Sequence, residues 1–190
     1  DKKNSNLISL KIALAVVDAI QKSSKLSPAI KWPNDILINN KKAAGILIES
    51  KINGNKRILS IGVGINVNLD SSHVVKNLEG KMTSLKIESG NDYSRERILA
   101  RFIKSMDYYI YKSNTFIINR WETLCAHKNT EVQFHDFNNN IINGKFMGID
   151  QTGRAIIDNH GEISYHQNGA IELWEYFALI LVIQVLRIVM

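Results

Sequence analysis

Three short segments combine charged or amide side chains with proline or glycine, and these segments could carry chemistry. The first is Lys-Trp-Pro-Asn-Asp at residues 31–35. A proline between an aromatic strand residue and an Asn-Asp pair predicts a sharp exit from a strand. Such an exit would hold the amide of Asn34 and the carboxylate of Asp35 at the end of a sheet. Taken alone, the Asn-Asp pair favours an ordinary turn.

The second segment, residues 41–49, places two lysines before small residues and a buried strand. A lysine at the mouth of such a strand can neutralise an anionic substrate as a compact point charge. Gly45 would let a ligand or a neighbouring chain approach the backbone. Taken singly, a lysine in this position is more often an exposed hairpin residue.

The third segment is Ile-Gly-Val-Gly-Ile-Asn-Val-Asn at residues 61–68. Gly62 and Gly64 weaken an otherwise β-branched strand, so the pattern indicates a bulge or a close approach to the backbone. It is not a dinucleotide-binding fingerprint, because Val67 stands where a glycine is required and no helix pattern begins there. The sequence also contains no phosphate-binding loop ending in Gly-Lys-Ser or Gly-Lys-Thr.

The remaining reactive residues form no recognisable site. Cys125 lies between Leu124 and Ala126 in a helical pattern, which favours a buried small hydrophobe over a nucleophile. No Gly-x-Ser-x-Gly elbow is present. The histidines lack the spacing of zinc ligands and have no cysteine companions, so structural or surface roles are expected for His73, His127, His135, His160 and His166.

The apolar periodicity of the first half predicts a helix followed by strands that could position these segments. Residues 6–23 repeat apolar side chains at three- and four-residue spacing, as an amphipathic helix does. Three strand-like runs follow, with turn signals between them, at residues 29–38, 44–52 and 57–68. The arrangement predicts an antiparallel sheet with the helix packed on one face.

The second half changes from helical to alternating periodicity near residues 127–130. Helices are predicted at 94–111, with Ser94 as the N-cap, and at about 115–126. Short strands separated by turn signals are then predicted at residues 131–135, 141–149, 154–158, 162–166 and 170–173. This spacing is typical of a small β-barrel or sandwich.

Composition narrows the protein class without identifying a partner. The chain has 190 residues, a formal net charge of +6 and a single cysteine, which excludes a disulfide framework. The basic residues are scattered, so no nucleic-acid partner is expected. The apolar run 176–190 would form a helix of about 22 Å, shorter than a hydrocarbon core of roughly 30 Å. No signal peptide is visible, and a soluble, cytoplasmic protein is expected.

The three segments occur together in an order and spacing that resemble the catalytic core of biotin protein ligases. The matching motifs are Lys-Trp-Pro-Asn-Asp at 31–35, Lys-x-x-Gly-Ile-Leu-Ile-Glu at 42–49 and the glycine strand at 61–68. Thr83-Ser84-Leu85 fits the same family, and residues 143–153 resemble its small SH3-like domain. The resemblance covers about residues 5–173.

This resemblance implies an α+β fold built as two units. Residues 1–127 would form a partial biotin- and ATP-binding catalytic domain, with a mixed, largely antiparallel sheet and packed helices like those of class II synthetases. Residues 128–173 would form the SH3-like β-barrel, and residues 174–190 an apolar C-terminal extension.

The resemblance also implies a reaction and a set of site residues. ATP and biotin would give biotinoyl-5'-AMP, and a lysine of a biotin carboxyl carrier domain would then accept the biotin. Lys42 would contact the biotin carboxylate and the phosphoryl oxygen, and Asp35 would lie beside the nucleotide and its Mg²⁺. Asn34 and Asn66 would bind the adenylate. Gly62 and Gly64 would let the biotin ring lie against the strand.

One family element has no counterpart in this sequence, and it leaves alternatives open. The family's Gly-Arg-rich loop precedes the first helix, so the chain is expected to represent the C-terminal two-thirds of a ligase. The alternatives are a non-catalytic remnant that binds biotin or carrier weakly, and a lipoate–protein ligase. A nucleic-acid-binding module ranks last. A homodimer is possible by resemblance only.

Overall fold

The structure, a computed structural model, describes residues 5–53, 56–138 and 140–172. Its helices are α1 Ser5–Ser24, α2 Leu85–Ser89, α3 Arg95–Ile110 and α4 Asn114–Glu122. Strands of the first half are β1 Ala29–Lys31, β2 Asp35–Ile38, β3 Lys41–Asn53 and β4 Lys56–Ile65. Strands of the second half are β5 Glu131–His135, β6 Ile141–Ile149, β7 Ala155–Asn159, β8 Glu162–His166 and β9 Ala170–Glu172.

Helix α1 lies at the centre of the first unit and is buried on more sides than an amphipathic helix would be. It packs against β1, β2 and β3 on one side and against α3 and α4 on the other. Ile12, Leu14 and Ala15 are therefore buried together with the predicted stripe that includes Leu10 and Val17. The sequence predicted the helix and its contact with the sheet, but a second contact with helices widens its apolar surface.

The first sheet is antiparallel, with the order β1-β2-β3-β4. Residues 29–38 were predicted as one strand-like run, and this is wrong in detail. The chain turns at Trp32–Asn34, and the two halves pair with each other, with Ala29 opposite Leu37. Pro33 has no N–H to donate to a ladder, which favours a turn at this position.

Polar caps begin the helices of the first unit as their sequences indicate. Ser94 accepts a hydrogen bond from the Arg97 N–H at the start of α3, which confirms the predicted cap. Ser113 caps α4 through the Phe116 N–H. Helix α4 ends at Glu122 rather than near residue 126, and turns connect it to β5.

The second sheet is also antiparallel, with the order β8-β7-β6-β5-β9. Its five strands agree with the five predicted runs to within about one residue. Antiparallel sheets with packed helices confirm the α+β class. The SH3-like assignment, the boundary near 127–130 and the ranges 1–127 and 128–173 stay predictions.

The two sheets meet at β1 and the turn that follows it. The backbone of Ile30 accepts from the Ala126 N–H at 2.9 Å and donates to the Leu124 carbonyl at 2.7 Å. The buried indole of Trp32 donates through Nε1 to the Gly153 carbonyl at 3.3 Å. Its ring centroid lies 5.7 Å from that of Phe134. Contacts with the second half of the chain therefore fix the position of β1, the strand that leads into the motif at residues 31–35.

The apolar run predicted as a C-terminal extension, residues 174–190, lies outside the described residues. Among the helices that the structure describes, none is both long and apolar enough to cross a bilayer.

Candidate functional site

A row of directly opposed residues crosses all four strands of the first sheet. Lys31 on β1 faces Asp35 on β2, Asp35 faces Gly45 on β3, and Gly45 faces Gly64 on β4. Directly opposed residues of antiparallel strands project to the same side of a sheet. The next residues along β2 and β3, Ile36 and Ala44, are buried in the core with α1. The row therefore lies on the sheet face away from α1.

Lys42 reaches this face because the pairing of β2 with β3 is irregular. Ile36 is opposite Ala44, but Leu37 is opposite Lys42, so Ala43 is an extra residue on β3. An extra residue of this kind re-aims the side chains beyond it. The Lys42 ammonium consequently lies 2.6 Å from Asp35 Oδ1. Its side chain keeps 43% of its surface exposed, against 18% for Asp35.

Gly45 provides the space that this ion pair occupies. A Cβ built on Gly45 would lie 3.1 Å from Lys42 Cε, 3.3 Å from Lys42 Nζ and 3.6 Å from Asp35 Oδ1. The sequence indicated that Gly45 would admit a ligand or a neighbouring chain. Its open side is instead filled by the side chain of Lys42, which lies three residues earlier on the same strand.

Gly62 and Gly64 leave the same face of β4 without side chains. Gly62 is opposite Leu47, whose side chain is 48% exposed. A Cβ on Gly62 would lie 3.7 Å from Leu47 Cβ, an ordinary van der Waals distance. The internal packing does not require glycine at position 62, so the bare surface beside the ion pair is available to a flat apolar ligand.

Asn34 fastens the turn of the first motif to β3. Its Nδ2 donates to the Ile46 carbonyl at 2.7 Å, and its own carbonyl accepts from the Ile46 N–H at 3.0 Å. These bonds fix the backbone immediately before Asp35. The amide nitrogen of Asn34 is thus engaged with the backbone, and its predicted contact with the adenylate stays a prediction.

Asn66 supports the backbone of Lys42 through the segment that precedes α2. Its Nδ2 donates to the Thr83 carbonyl at 2.9 Å, and its N–H donates to the Ala43 carbonyl at 2.8 Å. The Thr83 N–H in turn donates to the Lys42 carbonyl at 2.9 Å. Asn66 therefore lies behind the bulge, and its predicted nucleotide contact is untested.

The fully buried Thr83 and Ser84 complete this support. Thr83 Oγ1 donates to Glu88 Oε1 at 2.6 Å, and Ser84 Oγ donates to the Leu69 carbonyl at 2.6 Å while it accepts from the Ile87 N–H. The sequence placed these residues before a helix but gave no sign that they hold Lys42. The pairing of Met82 with Lys42 is a single isolated bridge, too short to leave a periodic pattern.

Lys31 is a charged residue of the row for which the sequence indicated no chemical role. Burial lowers the pKa of Lys31, and the charge of Lys42 lowers it further, whereas Asp35 and Glu172 act to raise it. Glu172 belongs to β9 of the second sheet, and its Oε2 lies 3.4 Å from Nε2 of His135. Lys31 is therefore influenced by charges from both sheets.

The described residues do not fit a resident metal ion. Within residues 5–53, 56–138 and 140–172, no three His, Cys, Asp or Glu side chains converge as a ligand set would. Asp35 is already paired with an ammonium group. The predicted contact between Asp35 and Mg²⁺ stays a prediction.

Cys125 is partly buried and His127 is fully buried. Burial raises the pKa of the Cys125 thiol to about 11, although the sulfur accepts N–H groups of His127 and Lys128. The imidazole of His127 is fully buried against Phe146 at 4.4 Å, and burial lowers its pKa to about 3. Neither ring nitrogen of His127 has a hydrogen-bond partner among the described residues. The expectation that Cys125 and His127 have structural roles stays a prediction.

The known sequences that resemble this chain are named as ligases. Residues 1–66 match the model of the biotin/lipoate A/B protein ligase family. The bifunctional ligase/repressor BirA of Bacillus spizizenii is 34% identical over 171 residues, which are 87% of this chain and 52% of that protein. The biotin--[acetyl-CoA-carboxylase] ligase of Paracoccus denitrificans is 32% identical, with 79% of this chain and 65% of that protein covered. The chain thus spans about half the length of the Bacillus relative.

Comparison with solved structures gives the same fold. The biotin protein ligase of Aquifex aeolicus superposes with a TM-score of 0.78 at 24% identity, covering 89% of this chain and 74% of that one. The same enzyme in complex with biotin and ATP has a TM-score of 0.77, covering 89% and 71% of the two chains.

Proposed function

We propose that this chain, a relative of the biotin protein ligases, takes part in the ATP-dependent attachment of biotin to a lysine of a biotin carboxyl carrier domain. In the first step, a carboxylate oxygen of biotin attacks the α-phosphorus of ATP, biotinoyl-5'-AMP forms and pyrophosphate leaves. In the second step, the amine of the carrier lysine attacks the acyl carbon, AMP leaves and the amine gives up a proton. The Bacillus and Paracoccus relatives are named for ligase activity.

The observation that carries this proposal is the exposed Lys42 ammonium beside a strip of bare backbone. The first step brings two anions together, a carboxylate and a phosphate, and a cation aimed at both lowers their repulsion. Lys42 is such a cation, since its side chain is 43% exposed and, among the residues that the structure describes, forms an ion pair with Asp35 alone. Gly62 and Gly64 offer an apolar surface on which the biotin ring can lie within reach of Lys42.

The other predicted residues would act around this lysine. Asp35 holds Lys42 in place before ligands arrive and would afterwards lie beside the nucleotide. Asn34 and Asn66 fix the backbones of Asp35 and Lys42, and we propose that their amides also face the adenylate. Mg²⁺ would enter with the phosphates of ATP, since the described residues do not build a metal site by themselves. A cytoplasmic location fits a reaction that consumes ATP.

The experiment combines the purified 190-residue chain with ATP, Mg²⁺, biotin and a carrier domain, and measures pyrophosphate release and biotin on the carrier. Lys42→Ala should lose adenylate formation while its circular dichroism is retained. Lys41→Ala is the matched control, because Lys41 precedes Lys42 on β3 but lies 3.7 Å from Glu88. Wild-type rates in Lys42→Ala would disprove the role of Lys42.

Two other outcomes separate the alternative functions. Binding of biotin or carrier without pyrophosphate release would identify a non-catalytic binding protein. Because the matching family model includes lipoate ligases, lipoate is offered in competition, and preferential use of lipoate would replace biotin as the substrate.

A further inference from the structure

We infer that Lys31 is a positioning residue of this site, which shares Asp35 with Lys42 and compensates the carboxylate when Lys42 turns to an anionic ligand. The inference rests on the proposed function for its ligand, but its structural basis is independent of that ligand. Asp35 has two cationic neighbours from opposite sides, Lys31 across β1 and Lys42 across the bulge of β3.

The geometry makes the two lysines unequal. Lys42 contacts Asp35 directly at 2.6 Å and has an exposed side chain, so it can swing away from the sheet. Lys31 is only partly exposed and occupies the closing position of the hairpin between β1 and β2, directly opposite Asp35. Trp32, the next residue, is anchored to the second sheet by its bond to Gly153. Lys31 is thus the fixed cation and Lys42 the movable one.

The charges around Lys31 explain why a partly buried lysine is retained here. Asp35 from β2 and Glu172 from β9 favour its ammonium form, while Lys42 from β3 and burial oppose it. His127 also faces Lys31, and it is neutral because burial keeps its pKa low. A cation that lies near two carboxylates and a second cation can offset the charge of one carboxylate when the second cation leaves.

This arrangement lets Lys42 leave Asp35 and pair with the anion of the substrate. When a carboxylate or phosphate draws Lys42 from Asp35, an isolated Asp35 would be left beside the incoming anion and would repel it. Lys31 offsets that charge, so that Lys42 is released at a smaller energetic cost. Without Lys31, Asp35 would hold Lys42 more firmly and the site would bind anions more weakly.

The test measures how readily the Lys42 amine is acetylated by an N-hydroxysuccinimide ester, followed by peptide mass spectrometry on the full chain without ligands. In Lys31→Met, Asp35 no longer faces a second lysine across β1 and holds the Lys42 ammonium more firmly, so acetylation should slow by about fivefold. Lys31→Arg keeps the charge and should restore the wild-type rate. Methionine retains the apolar stem, and circular dichroism confirms that the variant folds.

A matched lysine gives the control, and a kinetic measurement links the effect to catalysis. Lys41→Met removes a neighbouring charge that is paired with Glu88 rather than Asp35, and it should leave Lys42 acetylation unchanged. When biotin and ATP are the substrates, Lys31→Met should raise the KM values of both by about fivefold. It should change kcat by less than about twofold, because the variant loses affinity for the anionic substrates.

The two readouts distinguish failure of this inference from failure of the proposed function. If Lys31→Met leaves the acetylation rate of Lys42 unchanged, the inference is wrong whatever the chain catalyses. If the rate falls but no pyrophosphate is released by any variant, Lys31 has the assigned role and the ligase proposal is wrong. An equal loss of kcat in Lys31→Met and Lys31→Arg would also overturn the inference, since it would indicate a purely steric role.

Discussion

Gly45 and Lys42 lie three residues apart on one strand, yet a Cβ on Gly45 would come within 3.1 Å of Lys42 Cε. The glycine therefore makes room for the aliphatic stem of the lysine rather than for a turn. Its backbone is one that any residue can adopt, since no positive φ is found there. The side chain of Lys42 is placed over β3 because its neighbour has none.

Gly45→Ala should disturb the ion pair more than the fold. The crowded atoms are the end of a flexible lysine, which can move aside, so unfolding free energy should change by less than about 1 kcal/mol. Displacement of Lys42 from Asp35 should change the acetylation rate of Lys42. Urea unfolding and peptide mass spectrometry measure the two effects, and a large stability loss without altered lysine reactivity would contradict this account.

Gly62→Ala should leave the reactivity of Lys42 unchanged and should affect substrate binding instead. Its methyl group would meet Leu47 Cβ at 3.7 Å, an ordinary contact, so stability and Lys42 reactivity should be unchanged. The methyl group would nevertheless stand on the bare face where biotin is proposed to lie. We expect a rise in the KM for biotin and no change in the KM for ATP. Equal effects on both substrates would place biotin elsewhere.

Asp35→Asn should weaken the site by releasing Lys42 from its position. An amide cannot provide the negative charge that holds the ammonium at 2.6 Å, so Lys42 should become mobile. Biotin-dependent exchange of pyrophosphate into ATP should fall by at least about tenfold. Asp92→Asn is the control, since it removes a carboxylate paired with Lys86 on the surface. An unchanged exchange rate in Asp35→Asn would exclude a role for this ion pair.

His127 should make the protein less stable in acid. Its folded pKa of about 3 lies below the usual value of about 6.5. As pH falls from about 6.5 towards 3, the unfolded chain binds a proton that the folded chain excludes, so stability falls; at pH 5 the loss is about 2 kcal/mol. His127→Phe should lose less stability between pH 7 and pH 5, measured by urea unfolding.

The exposed His73 offers the control for this measurement. His73→Gln should retain the acid sensitivity of the wild type, because its side chain is not buried. If His127→Phe and the wild type lose the same free energy on acidification, another group accounts for the pH dependence.

Cys125 should resist alkylation in the folded protein. A thiol with a pKa of about 11 is almost entirely protonated at pH 8, and the thiolate is the reactive species. Iodoacetamide should therefore modify Cys125 at least about a hundredfold more slowly in buffer than in urea. Rapid modification of the folded chain would show that the partial burial of Cys125 does not raise the pKa of its thiol.

The sequence predicted the elements more fully than the contacts between them. Periodicity located α1 and the strands of both sheets, because alternation and helical spacing are local properties. It did not show that α1 is enclosed by α3, since burial on a second side depends on residues about 80 positions away. Pro33 was correctly interpreted as a sharp exit, but its effect of pairing β1 with β2 required the three-dimensional register.

The candidate site was predicted as a set of residues but not as a geometry. The motifs identified Lys42, Asp35 and the glycines, and the structure brings them to one face of the sheet. The extra residue at Ala43 and the contact of Gly45 with Lys42 have no signal in a single sequence, because two small buried alanines also fit a regular strand. The part played by Lys31 depends on Glu172, which comes from the far end of the described chain.

The extra residue at Ala43 means that the placement of Lys42 depends on how β2 and β3 pair, in addition to the identity of the residue. If the same sequence paired as a regular ladder, Ala43 would stand opposite Leu37 on the Asp35 face and Lys42 would point towards the core face. Deleting Ala43 would restore a regular ladder and leave Lys42 opposite Leu37, so the ion pair with Asp35 should survive that deletion. Related sequences that lack this one residue are therefore expected to keep the ion pair without a bulge.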